Sequence, residues 1–456
     1  MTIIPYIYSG YRAPLPGTRL YVLPELKMMI ARIVRNAAIF LAALYPCTIA
    51  AQMPESEILK NIGNMSGIYT VYPDVHHLRT PAPEGYSPFY ISHLGRHGSR
   101  WHSSHLNYER TLEKLEQGRS EGKTTPLGDE VYSLVKILAE DARGRYGELS
   151  PRGVAEHRHI AERMYLSYPE VFSTDHGRIC RIEAYSSNVV RCVLSMAASN
   201  ERLKELNPEI IIERSSSQRN MDMIFNRPEC MKIAKEISKE KNAAYRKCCN
   251  PDRLLGELFT DYGFIPEDRR WEMLYDMYML ASICRDVDYL GIDLFRYLTP
   301  EEVFGIWSVK NGIMYLQSGP SARFGKRALS DAEPSLRHII SCADDALSSG
   351  RVAATLRYGH DQNVIPLAAL MGLDGCDTVE SDMSKVHDAW CDFIISPMAC
   401  NIQMVFFRKE GSDDILVKIL LNEKETKVSG LSTDCFPYYH WTGLRSYLLS
   451  RIEECL

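Results

Sequence analysis

Two arginines flank a histidine at the end of an apolar segment. Arg96-His97-Gly98-Ser99-Arg100 directly follows the apolar run 86–94. A neutral imidazole is a competent nucleophile, and flanking guanidinium groups can bind a phosphoryl group while their charge opposes protonation of the imidazole. Gly98 allows a tight turn beside a ligand. The segment therefore predicts attack on phosphate by His97, with a hydrogen-bonded histidine in a basic turn as the alternative.

A third arginine, Arg191, is predicted in the first turn of a helix. Residues 181–185 alternate like a strand and lead into Ser186-Ser187-Asn188, whose residue types are favoured at helix N-caps. Arg191 would then lie beside free backbone N–H groups and the positive end of the helix dipole, a position that suits anion binding. A plain surface arginine is the alternative.

A second histidine, His360, follows another strand-like run, and a helical pattern from 364 to 370 comes after it. Strand-to-turn transitions carry sites in α/β folds. His360 could donate a hydrogen bond to phosphate, and Asp361 could protonate a departing alkoxide. The alternative for Asp361 is a helix N-cap. Pro366 is expected in the first turn of the helix, whose N–H groups lack intrahelical partners.

Taken in this order, the three segments resemble the histidine acid phosphatase branch of the histidine phosphatase superfamily, which includes phytases and multiple inositol polyphosphate phosphatases. The pattern R-H-G-x-R-x-P appears as residues 96–102, with His102 where the family has proline. The later arginine appears as Arg191 and the distal histidine–acid pair as His360-Asp361. Many inositol polyphosphate phosphatases of this branch carry His-Ala-Glu instead. The resemblance spans about residues 60 to 450.

The resemblance implies an α/β fold, with a mixed, largely parallel sheet flanked by helices and an inserted helical cap domain. We accordingly assign residues 52–200 and 346–456 to the two parts of the α/β core, and residues 201–345 to the mainly helical cap. The patterns themselves predict a hairpin from 402–407 and 415–421. They also predict a helix that begins at Ser150-Pro151 and continues through Tyr165.

The resemblance also implies a phosphomonoester hydrolase that works through a phosphohistidine. His97 would attack phosphorus and Asp361 would protonate the leaving alcohol. Inositol polyphosphates such as phytate are the expected substrates, and a broad-specificity acid phosphatase is the alternative. A non-catalytic phosphate-ester binding protein is disfavoured because nucleophile and acid are both present. The phosphate would be held by Arg96, Arg100, Arg191 and His360.

Basic residues are concentrated in the expected cap. Residues 227–253 hold eight basic side chains against four acidic ones. If this stretch lines the cleft, it favours a substrate with several phosphates, and Lys232, Lys235 and Lys239 are the candidate contacts. A solvated helix face is the commoner arrangement for such a stretch.

Composition narrows the class of protein and its partners. The 456 residues, 45% hydrophobic and 24% charged, are enough for a large core and two lobes. A net charge of −5 gives no general attraction to nucleic acid, so the expected partner is a small phosphate ester. There is no C-x-x-C pair, and the His102/His105 and His157/His159 pairs are more typical of surfaces than of zinc sites. We predict neither a metal nor a cofactor.

The N-terminal region has the pattern of a secretory signal peptide. A basic segment at 28–35 precedes the apolar run 37–44, with small residues up to Ala51. This predicts a signal peptide at 28–51, secretion or periplasmic localisation, and no integral membrane segment in the mature chain. Residues 1–27 are expected to be an upstream extension foreign to the native protein, and a lipoprotein anchor at Cys47 is the weaker alternative. In an oxidising compartment, Cys248 and Cys249 are the first candidates for disulfides.

Overall fold

One mixed sheet of eight strands organises the described residues, 53–75 and 79–455, of the computed structural model. Its strand order is β3-β2-β4-β1-β5-β6-β7, and β8 pairs with β6. The neighbours β3, β2, β4 and β1 run parallel, and the remaining pairs are antiparallel. The predicted mixed sheet is confirmed. The strands are β1 (Tyr86–Arg96), β2 (Arg181–Ser186), β3 (Ile211–Ser216), β4 (Ala354–Gly359), β5 (Asn401–Lys409), β6 (Ile415–Leu421), β7 (Lys424–Glu425) and β8 (Tyr438–His440).

Helices flank the sheet and fill the region between β3 and β4. The helices of eight or more residues are α1 (Leu106–Ser120), α2 (Pro126–Ala142), α3 (Pro151–Ser167), α4 (Val190–Leu206), α5 (Pro228–Glu236), α6 (Ser238–Cys248), α7 (Trp271–Ile283), α8 (Pro300–Ser318), α9 (Glu333–Ser349), α10 (Asp361–Leu370) and α11 (Trp441–Glu453). The shorter ones are Glu55–Ile58, Pro169–Phe172, Met221–Ile224, Asp252–Leu258, Gly325–Ser330, Val386–Ala389 and Asp392–Ile395. A 3₁₀ segment, Ile62–Tyr69, precedes β1.

Apolar packing divides the molecule into layers. Helices α9, α10 and α11 share one cluster with β1, β5 and β6, and α3 and α4 share another with β2 and β4. A third cluster joins α1, α2, α7 and α8. Strand β4 is buried throughout, as is β1 over its C-terminal half, as expected for central parallel strands that helices cover on both faces. Within the part of the chain that the structure describes, no helix is long and apolar enough to cross a membrane.

Several local predictions are confirmed. Strands β5 and β6 form the expected antiparallel hairpin, with Phe406 opposite Val417. Helix α3 begins at Pro151, and the Ser150 hydroxyl accepts a hydrogen bond from the Gly153 N–H at 3.3 Å. Short-range signals, namely alternation, a turn and a cap, specify these elements without help from distant residues.

Other local predictions are wrong. No side chain caps α4, because Ser187 contacts His360 and Asn188 contacts Gln218 instead. Helix α10 begins at Asp361, three residues before its apolar pattern, so Pro366 lies inside the helix rather than in its first turn. The segment expected to be mainly helical also contains one strand, β3. Its side chains are largely exposed at the sheet edge, so it carries little apolar signal.

The cysteines differ from the expectation too. All those in the described ranges are free thiols. The Sγ atoms of Cys248 and Cys249 lie 3.9 Å apart without a bond, so the predicted disulfide participation of this pair is wrong. The expected upstream extension (1–27), the expected signal peptide (28–51) and Cys47 lie outside the described residues.

Candidate active site

Three parallel strands end at the same edge of the sheet and bring the candidate residues together. Arg96 at the end of β1 is in register with Gly359 at the end of β4, and Ser186 of β2 is in register with Tyr358 of β4. The residues that follow these strands therefore meet, as they do at the carboxyl edge of other parallel sheets. The ring centroids of His97 and His360 are 5.5 Å apart.

The His97 imidazole is held neutral with one nitrogen free. Its Nδ1 lies 2.9 Å from the Gly98 carbonyl oxygen, which can only accept, so Nδ1 carries the proton and Nε2 carries the lone pair. Burial lowers the pKa of His97 well below its usual value, and the positive charges of Arg96 and Arg100 lower it further. This is the protonation state that a nucleophile requires.

Guanidinium groups around His97 have hydrogen-bonding capacity to spare. Arg96 Nη1 donates to the carbonyl oxygens of Ile68 at 2.5 Å and Ser396 at 3.0 Å, and Arg100 Nη1 donates to that of Trp101 at 2.8 Å. Buried donors are normally paired. Yet Nε and Nη2 of Arg96, Nε of Arg100 and Nε of Arg191 are buried without a hydrogen-bond partner among the described residues. Together they form a pre-built site for an anion with several oxygens.

His360 and Asp361 complete this cluster. Arg191 Nη2 lies 3.4 Å from His360 Nδ1, and a guanidinium can only donate. Nε2 of His360 therefore carries the proton and faces the Ser187 hydroxyl at 3.2 Å. Burial, followed by the charge of Arg191, lowers the pKa of His360 well below its usual value.

Asp361 is ionised in this arrangement. Burial alone would raise its pKa, but the charge of Arg96 and the neighbouring His360 outweigh burial and lower it. The Asp361 carboxylate lies 3.7 Å from Arg96 Nη2. It also stands on the first residue of α10, where the helix dipole favours negative charge.

A buried carboxylate positions the loop that carries His97. Glu156 of α3 accepts hydrogen bonds from the Ser99 N–H and the Ser99 hydroxyl, each at 2.8 Å. Gly98 packs directly on Gly153, where an added Cβ would come within 2.6 Å of the Gly153 carbonyl oxygen. The sequence interpretation missed these supports, although residues 149–153 are part of the resemblance.

His102, which replaces the expected proline, ties the same loop to the helical region. Its Nε2 donates to the Met279 carbonyl oxygen of α7 at 2.8 Å, and its backbone N–H donates to the Tyr108 hydroxyl at 2.8 Å. Burial lowers its pKa to about 3, so the ring is neutral. The departure from the family pattern thus adds an anchor and leaves the charged groups in place.

Residues from the helical region form one wall of the site. The Phe225 ring lies against His360, with centroids 3.9 Å apart, and the Arg227 guanidinium stands 4.2 Å from the Phe225 ring centroid. Arg227 Nη1 donates to the Gln362 side-chain oxygen at 2.9 Å. The sequence interpretation missed Phe225 and treated Arg227 only as one member of the basic stretch.

The three lysines singled out in the sequence are exposed. Lys232 forms an ion pair with Glu229 at 2.5 Å. No hydrogen bond or ion pair among the described residues joins Lys232, Lys235 or Lys239 to His97 or His360. Their contact with substrate stays a prediction.

One group of candidate metal ligands occurs in the described ranges. Ligand atoms of Asp434, Cys435 and His440 lie within 4.8 Å of one another, around β8. His440 Nδ1 already contacts Asp414 at 2.8 Å. The absence of a metal stays a prediction.

Comparison with solved structures identifies the architecture. The multiple inositol polyphosphate phosphatase of Bifidobacterium longum, in complex with inositol hexasulfate, aligns over 85% of this chain and 98% of its own, with a TM-score of 0.71 at 19% identity. The phytase of D. castellii covers 88% of each chain, with a TM-score of 0.66 at 13% identity. This is the histidine acid phosphatase fold. The apo phytase of Hafnia alvei shares it less closely, with a TM-score of 0.51 at 12% identity over 82% of this chain and 99% of its own.

Among the comparisons with known proteins, only the solved structures identify the histidine acid phosphatase fold. Neither a protein-family model nor a curated protein sequence matches the chain. The fold implied by the resemblance of residues 96–102, Arg191 and His360-Asp361 is thereby confirmed. Each of these segments lies at or just after a parallel strand that ends at the site.

Proposed function

We propose that the protein is a phosphomonoester hydrolase that forms a phosphohistidine on His97 and acts on inositol polyphosphates. One observation carries the proposal: a neutral imidazole with a free Nε2 lies among three guanidinium groups, each of which has at least one buried N–H donor without a hydrogen-bond partner among the described residues. A phosphate group supplies both the electrophile for the imidazole and the acceptors for these donors.

In the first step, His97 Nε2 attacks phosphorus in line with the leaving oxygen. The bond from phosphorus to Nε2 forms while the ester P–O bond breaks. Arg96, Arg100 and Arg191 bind the non-bridging oxygens and stabilise their charge in the transition state. The leaving alkoxide takes a proton from Asp361. Water then attacks phosphorus, Asp361 accepts its proton, and inorganic phosphate and the free imidazole are released.

Substrate binding itself prepares the acid. Asp361 is ionised in the free protein because the charge of Arg96 outweighs burial. A dianionic phosphate against the same arginine cancels that influence and adds a like charge, which raises the pKa of Asp361. The same dianion favours protonation of His360, which adds a positive charge beside the phosphate. Both shifts favour turnover at acidic pH.

Inositol polyphosphates are the proposed substrates because of the fold and the site together. The Bifidobacterium longum enzyme with this fold is a multiple inositol polyphosphate phosphatase, and it has been crystallised with inositol hexasulfate and with phosphate. Two further fold relatives are phytases. A broad-specificity acid phosphatase uses the same catalytic cluster, so selectivity must be measured.

The test is phosphate release from phytate, a sugar phosphate and an aryl phosphate at several pH values. We expect hydrolysis of all three and the highest kcat/KM with phytate. His97→Ala should lower kcat by at least about 10³-fold, while the matched variant His105→Ala, an exposed histidine a few residues further on, should retain activity. Acid quench of the wild type with labelled substrate should place phosphate on His97. Turnover by His97→Ala near the wild-type rate would refute the covalent mechanism.

We further propose that residues 28–51 direct export, so that the mature protein is secreted or periplasmic and begins after Ala51. The support is the basic and then apolar pattern of this segment. N-terminal sequencing of the protein recovered from its native host tests this. A mature chain that still contains residues 28–51 would contradict cleavage, and a lipid on Cys47 would establish the lipoprotein alternative.

A further inference from the structure

A lysine stands in an aromatic cage near the candidate active site. The ammonium group of Lys310, on α8, lies 5.9 Å from each ring centroid of Tyr69, Tyr275 and Tyr278. The ammonium group donates a hydrogen bond to the Met279 sulfur at 3.5 Å. Aromatic faces attract a cation without neutralising it. The cage therefore fixes the ammonium in place and leaves its charge available.

No ion pair cancels that charge. Among the residues that the structure describes, no carboxylate lies within 4.0 Å of the Lys310 ammonium. The nearby Asp392 carboxylate instead accepts a hydrogen bond from Trp307 Nε1 at 3.0 Å. Burial acts to lower the pKa of Lys310, but Tyr275, Tyr69 and Asp392 raise it by more, so the amine is charged at neutral pH.

A second lysine lies on the helix that packs against α8. Lys241, on α6, is open to solvent and has no ion pair with a described residue. Helix α6 packs against α8, and Tyr245, one turn after Lys241 on α6, lies against the Tyr275 ring of the cage, with ring centroids 4.8 Å apart. Partial burial lowers the pKa of Lys241, and the positive charge of Lys310 lowers it further, so the two ammonium groups repel each other. An anion between them would turn this repulsion into two attractions.

Tyr69 connects this pair to the phosphate site. The Arg100 guanidinium lies 5.5 Å from the centroid of the Tyr69 ring, and Lys310 lies 5.9 Å from the same centroid. Arg100 and Lys310 are therefore within about 12 Å of each other. The preceding residue, Ile68, accepts the hydrogen bond from Arg96 described above. Lys310 therefore lies beside the candidate catalytic residues, and one short segment, which contains Ile68 and Tyr69, contacts both.

We propose that Lys310 and Lys241 form a second anion subsite, which binds a phosphate of the substrate other than the one that His97 attacks. The inference rests on the proposed hydrolase function and narrows it to substrates with two or more phosphate groups. It also assigns the selectivity for substrates with several phosphate groups to residues of α6 and α8. The exposed lysines Lys232, Lys235 and Lys239 are not needed for it.

The test compares phytate with an aryl monophosphate in the wild type and in Lys241→Met/Lys310→Met. We expect the ratio of kcat/KM for phytate to that for the aryl ester to fall about tenfold or more, chiefly through KM. Because the lost contacts are electrostatic, the difference should shrink as salt rises. The single variant Lys310→Arg, which keeps the positive charge, should retain most of the wild-type ratio of kcat/KM for phytate to that for the aryl ester. The control Lys136→Met removes a lysine that lies over Tyr132 but is paired with Glu140, and it should leave the ratio unchanged.

Each outcome of this comparison supports or refutes the second anion subsite. A ratio within twofold of wild type in the double variant would overturn the subsite. If the double variant does not fold, Lys241→Met alone must still lower the ratio, since this lysine is at the surface. If the wild type hydrolyses neither ester, the proposed function fails, and calorimetry with inositol hexasulfate then tests the subsite separately. Weaker binding to the double variant supports the subsite, and equal binding refutes it.

Discussion

Replacing Asp361 with asparagine separates proton donation from phosphate binding. The substitution keeps the size of the side chain but removes the carboxyl group that we propose as the proton donor to the leaving alcohol. General acid catalysis contributes about 10²–10⁴-fold, or about 3–5 kcal/mol of transition-state stabilisation. We expect kcat for phytate to fall by this factor. An aryl phosphate, whose leaving group needs little protonation, should lose less than about tenfold.

The structure adds an effect in the opposite direction. The Asp361 carboxylate lies 3.7 Å from Arg96 Nη2. At that distance, their attraction is about 1–4 kcal/mol for effective dielectric constants from about 80 to 20. Asparagine lacks the negative charge that competes with phosphate for Arg96, so Arg96 should bind phosphate more tightly in this variant. We therefore expect KM for both esters to fall or stay constant in Asp361→Asn, and inorganic phosphate to inhibit more tightly.

The assay is steady-state kinetics on both esters from pH 4 to pH 8, with phosphate as a competing inhibitor. Asp252→Asn is the control, since it removes an exposed first-turn carboxylate from another helix. The wild-type kcat for phytate should decline as pH rises and Asp361 loses its proton in the complex, whereas the aryl ester should decline less. Equal losses on both esters in Asp361→Asn, or a raised KM, would refute the acid role.

Three further predictions follow from packing and charge. Gly98→Ala should lower kcat by about 10²-fold, because its Cβ would meet the Gly153 carbonyl oxygen at 2.6 Å and displace His97. A Gly98→Ala enzyme with wild-type activity would contradict this packing argument. The comparison variant Gly144→Ala, whose Cβ would meet no atom within 4 Å, reports the strain of positive φ alone. The free energy of unfolding should fall as pH drops from 6.5 towards 3, by up to about 1.4 kcal/mol per pH unit for each histidine that burial keeps neutral. The reason is that burial lowers the pKa of four histidines to about 3 in the folded protein, whereas the unfolded chain protonates them near their usual pKa. Equal urea midpoints at pH 7 and pH 5 would contradict this. These histidines are His93, His102, His157 and His338. Neutralising Lys232, Lys235 and Lys239 together should raise KM for phytate but not for an aryl phosphate if the sequence-based prediction holds; an unchanged ratio of kcat/KM would show that they form a solvated helix face.

The sequence by itself determined which residues form the candidate active site, together with several of the helices and strands that carry them. Residues 96–100, Arg191 and His360-Asp361 could be recognised because each chemical group follows a strand pattern within a few residues. The hairpin of β5 and β6 and the start of α3 were predictable for the same reason. Alternation, turns and caps act over a few residues, so these signals survive without any knowledge of the fold.

Tertiary structure alone decided what surrounds that cluster. Glu156 supports Ser99 across 57 residues of chain, and Phe225 packs on a histidine far along the sequence. The basic stretch gave no indication of which side chains face the site, because charge counts carry no direction. Helix packing instead brings α6, which carries Lys241, against α8, which carries Lys310 and lies outside that stretch. Contacts between distant segments depend on how helices and strands pack, and local patterns do not encode the orientation of one element against another.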